Sequence, residues 1–378
     1  MNAPLPTHES WDVRDKVVLV RVDFNTPVAE VDGRLEVTDD YRIRAALPLL
    51  TDLLERGARV RACTHFGRPK GRVDERYVVD PIRRRLDELC PGVELLENLR
   101  FHPGEEANDP AFGASLVEGV DFYINEAFGA SHRAHASIMI PPTLVPSAAG
   151  PNLRREVAYL VDTLSDPARP FVAIVGGAKV ADKLGIVTTL AAKADTVLVG
   201  GGMAYTFESA SGRTIGSSLF DATSVDRCRD LLATGRVVIP EDSRGLADGA
   251  PLGPQGGPDE PIDFGDQIPD GHEGFDVGPR TVARFTEVIA GAATILWNGP
   301  LGFFEDPRFS RGTEAVARAV AASDATSIIG GGDSAAALAQ FGLSDRVDFV
   351  STGGGASLEL LEFGDLPGLR ALREGRRA

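Results

Sequence analysis

Cysteine is scarce in this chain of 378 residues: Cys63, Cys90 and Cys228 are an odd set with no CxxC spacing. That usage excludes a disulfide framework and the common zinc motifs. Basic residues are outnumbered, 39 against 55 acidic ones, for a formal net charge of -16. A nucleic-acid-binding chain shows the opposite balance. No apolar run approaches the roughly 20 residues that a membrane-spanning helix needs. The opening MNAPLPTHES has neither the basic region nor the apolar core of a secretory leader. These absences predict a soluble, cytoplasmic protein without nucleic-acid or membrane partners. Also missing are the spacing GxxxxGK[ST], the protein-kinase signature set and a GxGxxG where a strand meets a helix, which disfavours P-loop, protein-kinase and hydride-transfer chemistry. What is present is 43% hydrophobic and 25% charged residues, the balance of a globular chain rather than a disordered or collagen-like one. At roughly 150 residues per domain the length predicts two domains.

Short β-branched apolar runs alternate with helical patterns. KVVLVRV (16–22), RVRAC (59–63), VDFYI (120–124), PFVAIV (170–175), DTVLVG (195–200), ATILW (293–297), TSIIG (326–330) and VDFVS (347–351) read as strands. Residues 41–56, 80–90, 180–192 and 313–322 carry apolar residues at helical spacing. Strands apolar on both faces and alternating with helices predict parallel α/β sheets covered on both sides. A boundary is expected between PPTLVPSAAGPN (141–152) and DPARP (166–170), with a joining helix across 153–164. Residues 245–279, dense in Gly, Pro and Asp, read as a long surface excursion. Trp297, Leu47, Leu50 and Leu54 are core candidates, and Cys63 on its strand reads as a small buried hydrophobe.

The two halves punctuate their strands differently. In the first half the strands are followed by Asp23 and Asn25, by His65 and Arg68, by Arg100, and by His132, Arg133 and His135. In the second half glycine follows: GGAK (176–179), GGGM (200–203), NGPLG (298–302), GGGDS (330–334) and TGGGAS (352–357). Ligands of open parallel sheets bind beyond the carboxyl ends of the strands, so two half-sites of different chemistry are expected.

Glycine at a strand-to-helix turn lets main-chain N–H groups approach an anion, and the helix N-terminus adds positive potential. Lys179 and Lys183, four apart, are expected on one face at the start of a helix. Cations are unfavourable there, so the pair implies a highly charged anion such as a polyphosphate. Asp333 either holds a magnesium ion that bridges phosphates or N-caps a helix beginning near Ser334. In the other half, Arg68, Arg100 and Arg133 at strand ends, with Arg42 after the turn TDDYR, present forks suited to carboxylate or phosphate. His65 and Asn25 add neutral donors. His132 and His135 lack the Cys or acidic partners of a metal site.

Ten motifs carry a family resemblance: RVDFNTPV (21–28), YRIRAALP (41–48), THFGRP (64–69), LLENLRFHPGEE (95–106), NEAFGASHRAHAS (125–137), GGAKVADKLG (176–185), LVGGGMAYTF (198–207), LWNGPLGFFE (296–305), GGGDSAAA (330–337) and STGGGASLELL (351–361). Together, and in order over essentially the whole chain, they resemble phosphoglycerate kinase of the bacterial type. The resemblance implies an α/β fold of two Rossmann-like three-layer domains with parallel sheets, joined in a bilobal, hinge-bending monomer. It implies a 3-phosphoglycerate-binding domain over 1–152, an interdomain helix over 153–166 and a nucleotide-binding domain over 167–365. The tail 366–378 would return to the first domain. The reaction implied is reversible phosphoryl transfer: 1,3-bisphosphoglycerate and ADP give 3-phosphoglycerate and ATP, with Mg2+ on the nucleotide.

Carried over residue by residue, the resemblance assigns Asp23, Phe24, Asn25, Arg42, His65, Phe66, Gly67, Arg68, Arg100 and Arg133 to the glycerate. It assigns Gly177, Ala178, Lys179, Lys183, Gly200, Gly201, Gly202, Asn298, Pro300, Gly302, Glu305, Gly331, Gly332, Asp333 and Ser334 to the nucleotide. Asp333 matches the aspartate on the magnesium side, and Arg42, Lys179 and Lys183 form the catalytic set. The chain departs from the family pattern at Ser334, where many relatives have threonine, and at Phe66 and Phe303, which replace smaller aliphatics. At His272 and Glu273 relatives often carry an aromatic and an apolar residue, on a surface not expected to be chemical. Two other readings share these features: a kinase for another small carboxylic acid, and a non-catalytic nucleotide-binding homologue.

Overall fold

A computed structural model describes residues 3–378. The chain divides into two compact units, one running to Val161 and taking back Phe363–Ala378, the other running over Asp162–Glu362.

In the first unit five parallel strands lie in the order Glu94–Leu95, Arg59–Cys63, Val17–Arg21, Phe122–Asn125, Ser147–Ala149. Val17–Arg21 is central and buried along its whole length, as expected of a parallel strand covered on both faces. The helix Tyr41–Glu55 supports it by turning Ile43, Ala46, Leu49, Leu50 and Leu53 inward at the spacing of one helical face. The tail helix Pro367–Glu374 belongs to this unit. It buries Leu369 and Leu372, and its start is fixed by Gly368 N–H donating to Ser131 O at 2.9 Å.

The second unit holds six parallel strands in the order Val237–Val238, Thr196–Val199, Phe171–Val175, Thr294–Asn298, Thr326–Gly330, Phe349–Val350. Phe171–Val175 and Thr294–Asn298 are fully buried, and Trp297 lies at the centre of the core. Helical structure runs from Pro151 to Ser165, with Ala158–Asp162 in the wider π spacing. Among the described residues no helix is long and apolar enough to cross a membrane.

Three expectations need correction. The residues read as a surface excursion contain most of an antiparallel sheet, Ile262–Phe264, Ser243–Ala247 and His272–Val277, and Asp276 and Val277 are buried. Lys179 and Lys183 do not share a helix face: the helix begins at Leu184, with Lys183 at its N-cap and Lys179 in the preceding turn. Asp333 is not an N-cap. The helix Gly332–Gln340 is preceded by Gly331 at φ 95°, which places Asp333 inside the first turn.

Candidate functional site

Each sheet reverses its strand order beside the strand that comes first in its unit, and such a switch point is where open α/β sheets bind ligands. In the first unit the strand ends at this point deliver Asp23–Asn25, Thr64–Arg68 and the segment after Asn125 to one region. Arg21, fully buried at the end of the central strand, organises it. Its guanidinium donates to Ser137 Oγ (2.9 Å) and to His65 Nδ1 (3.2 Å). Ser137 in turn donates to the buried Glu105 carboxylate through Oγ (2.7 Å) and N–H (3.0 Å). Because Nδ1 of His65 accepts, its ring hydrogen sits on Nε2. Burial, with Arg21, Arg100 and Arg42 nearby, pushes its pKa well below the ordinary value. His65 is a neutral donor.

Around it stand the expected cations. Arg100 is buried and donates to Gly67 O at 2.7 Å, with Glu106 at 3.1 Å. Arg133 is half-buried and donates to His132 Nε2 at 3.1 Å. Burial, with Arg100, Arg21, Arg133 and His132 adding to it, also lowers His135 to about 4. Arg68 is exposed and makes no ion pair among the described residues. Arg42 donates to Asp23 at 2.5 Å. Burial works to raise the pKa of Asp23, but Arg42, Arg21 and the Asn25 N–H overcome it, and the carboxyl stays below its ordinary value. Asn25 Oδ1 accepts from Gly67 N–H at 2.9 Å, where Gly67 has φ 58° and lies against the ring of Tyr77. The rings of Phe24 and Phe66 enter the core, which leaves their backbone rather than their side chains toward the loop. Cys63 is buried as expected, and burial pushes its thiol up to about 12.

In the second unit the turns after the strands are in backbone contact. Gly177 N–H donates to Pro300 O (3.0 Å), Gly201 N–H to Leu301 O (2.9 Å) and Met203 N–H to Gly177 O (2.9 Å). A Cβ on Gly176 would stand 2.0 Å from Pro300 O, and one on Gly299 would stand 2.2 Å from Gly176 O. Only glycine permits this approach. The turns frame a cavity of about 320 Å³ lined by Gly177, Ala178, Gly201, Gly202, Pro300, Gly302, Glu305 and Asp333, together with Leu219, Leu252, Glu273, Gly274, Phe275 and Phe303. Lys179 is exposed beside it. Lys183 donates to Asn298, a buried residue; burial lowers its pKa while Asp333 and Asp182 act to raise it. Ser334 accepts from Gly299 N–H at 2.6 Å and so ties the helix Gly332–Gln340 to the glycine turn. Gly200, Gly331 and Gly332 flank the cavity in sequence without lining it. The first-turn N–H groups of Gly332–Gln340 have no intrahelical acceptor and no side-chain cap, a suitable end for a phosphate.

A magnesium ion fits this donor set in one way. Asp333 is an exposed carboxylate on the cavity wall, and the described residues contain no cluster of three His, Cys, Asp or Glu able to hold a metal unaided. One carboxylate suits an ion that takes its remaining ligands from phosphates and water.

Several residues at these sites escaped sequence reading. Arg21 is a charge inside an apolar strand, an anomaly visible in KVVLVRV. Glu273, assigned to a non-chemical surface, lines the cavity. Leu219, Leu252 and Phe275 carry no local signal, because only the antiparallel sheet and the loops around it bring them to the wall.

The family model for phosphoglycerate kinase matches residues 8–94 and 91–363. A phosphoglycerate kinase from Rubrobacter xylanophilus is 49% identical over 96% of this chain and 97% of its own. The solved phosphoglycerate kinase of Coxiella burnetii superposes with a TM-score of 0.85 at 35% identity, over 98% of this chain and 99% of that one. That of Pyrococcus horikoshii OT3 superposes with a TM-score of 0.83 at 29% identity, over 97% and 98%. This chain belongs to the phosphoglycerate kinase family.

Proposed function

We propose that the chain transfers a phosphoryl group between 1,3-bisphosphoglycerate and ADP, giving 3-phosphoglycerate and ATP in glycolysis and, in reverse, in gluconeogenesis. The observation that carries this reading is the surplus of guanidinium groups around a neutral His65. Arg21, Arg42, Arg100 and Arg133 converge on one region against Asp23, Glu105 and Glu106, and Arg68 has no ion pair among the described residues. Such a region suits an anion carrying both a phosphate and a carboxylate.

His65, Arg68, Arg100 and Arg133 hold the phosphate that does not move, and Asp23 with Asn25 holds the hydroxyl and carboxyl end. Lys183 and the glycine turns hold the nucleotide phosphates. Arg42 and Lys179 neutralise the charge spread over the oxygens of the moving group, the main task in phosphoryl transfer. In the ATP-consuming direction the nucleophile is a carboxylate, ionised at neutral pH, so no general base is required. Asp23 engages one nitrogen of Arg42, which leaves the rest of the fork for the moving phosphoryl group. Magnesium, held by Asp333 and the nucleotide phosphates, supplies further charge neutralisation when bound. The transfer is completed when the two units bring their ligands together. A monomeric state and a cytoplasmic setting belong to the same reading.

A coupled assay with 3-phosphoglycerate, ATP and Mg2+ tests it. Turnover that requires all three is expected, whereas turnover with another carboxylic acid in preference, or nucleotide binding with no turnover, would overturn it.

A further inference from the structure

The cavity in the second unit has an odd member. Most of its wall away from the glycine turns is apolar, and Leu219, Leu252 and Phe303 remain 50%, 41% and 37% exposed around it. Exposed apolar side chains gathered on one concavity mark a surface that a flat, weakly hydrated group can cover. Glu273 shares that wall. Glu273 and Phe275 both come from the strand His272–Val277, whose pairing with Ser243–Ala247 skips Phe275 in a bulge, and both line this wall. Phe303 is fastened to that strand by its N–H, which donates to Phe275 O at 2.8 Å. The Glu273 carboxylate is half-buried and has no hydrogen bond or ion pair within the described chain. Burial, with the Asp248 carboxylate nearby, raises its pKa above the ordinary value.

We propose that Glu273 reads the nucleobase held between these apolar walls, its carboxylate accepting two N–H bonds from a guanine edge, so that guanine nucleotides bind at least as tightly as adenine nucleotides. The inference rests on assigning this cavity to the nucleotide. The selectivity follows from edge chemistry. Guanine presents N1–H and the 2-amino group side by side, two donors that a carboxylate accepts in parallel. Adenine presents its 6-amino donor beside the N1 lone pair, so one carboxylate oxygen meets an acceptor. An amide in place of the acid, with one acceptor and one donor, matches adenine instead.

Calorimetric titration of the full chain with GDP, ADP and IDP tests this, using the parent protein, Glu273→Gln and Glu273→Met. The parent is expected to bind GDP at least as tightly as ADP, with IDP, which lacks the 2-amino group, weaker than GDP. Glu273→Met is expected to lower the GDP to ADP affinity ratio by about tenfold, and the near-isosteric Glu273→Gln to shift it toward ADP. A parent that binds GDP more than tenfold weaker than ADP, or a ratio unchanged in both variants, would overturn the inference. Turnover of 3-phosphoglycerate with ATP and with GTP, followed alongside, keeps the two readings apart. Turnover with unaltered selectivity defeats the role of Glu273 alone, and selective binding without turnover defeats the phosphoryl-transfer reading alone.

Discussion

Arg42 and Arg133 are both half-buried arginines of the first unit, but their partners differ. Arg42 is held by Asp23, a carboxylate kept ionised by its cationic surroundings, whereas Arg133 donates to a neutral ring nitrogen of His132. In the proposed reaction the first arrangement orients a guanidinium toward a charge that develops during transfer, and the second leaves one for a charge present throughout. Arg42→Ala is therefore expected to lower kcat by about 100- to 1,000-fold with a small change in KM for 3-phosphoglycerate. Arg133→Ala should instead raise that KM by about tenfold or more and leave kcat nearly intact, the pattern of lost uniform binding. Steady-state kinetics of the two variants separates these roles, and equal effects on both parameters in both variants would contradict them. The arginines at strand ends were legible because a cation after an apolar run has few structural uses. Arg21 was harder to assign: its partners Ser137 and His65 lie 116 and 44 residues away, and no local pattern encodes such pairings.

At the scale of elements, the strands flanking each switch point matched their apolar runs to within two residues at either end, since burial on both faces leaves a strong composition signal. Helix starts were less legible. The run from Val180 carries helical spacing, yet the backbone turns through residues 181–183 before the helix begins at Leu184, which separates Lys179 from Lys183. The hairpin Val28–Val31 with Arg34–Val37, absent from the expected strands, closes on an Asp-Gly turn, Asp32 at φ 51° and Gly33 at φ 78°, the preferred two-residue connection. Glu208 shows how an element sets a titration. It lies on the helix Ala204–Ala210 at 2% exposure, one carboxylate oxygen lacks a hydrogen-bond partner, and burial raises its pKa from 4.5 to about 8 despite Arg213. Below pH 4.5 the group is protonated in the folded and unfolded chain alike. Between that value and about 8 only the unfolded chain releases its proton, so stability falls as pH rises through this window. Glu126, raised to about 8, and Asp276, raised to about 7, act in the same direction. Scanning calorimetry between pH 6 and 9 is expected to show a falling Tm for the parent. The fall should be shallower in Glu208→Gln, which should also melt higher than the parent at pH 8; identical slopes would contradict the assignment.

At the scale of the whole molecule, the proposed reaction draws on two parallel sheets, one in each unit. The arginine cluster belongs to the unit that ends at Val161 and resumes at Phe363, and the glycine turns belong to the unit between. This division was legible because the two halves of the sequence punctuate their strands with different residues, and parallel sheets gather whatever follows their strands. The small antiparallel sheet was not legible, because its Gly- and Pro-rich segments resemble loops until their pairing partners are known. The central claim is that Arg42 in one unit and Lys179 in the other act on the same phosphoryl group. A double-mutant cycle on kcat tests it most directly. Residues that act as one unit lose most of their effect together, so the double variant Arg42→Ala/Lys179→Ala is expected to lose little more than the worse single variant. Losses that multiply, or a Lys179→Ala variant with the kcat of the parent, would contradict the claim.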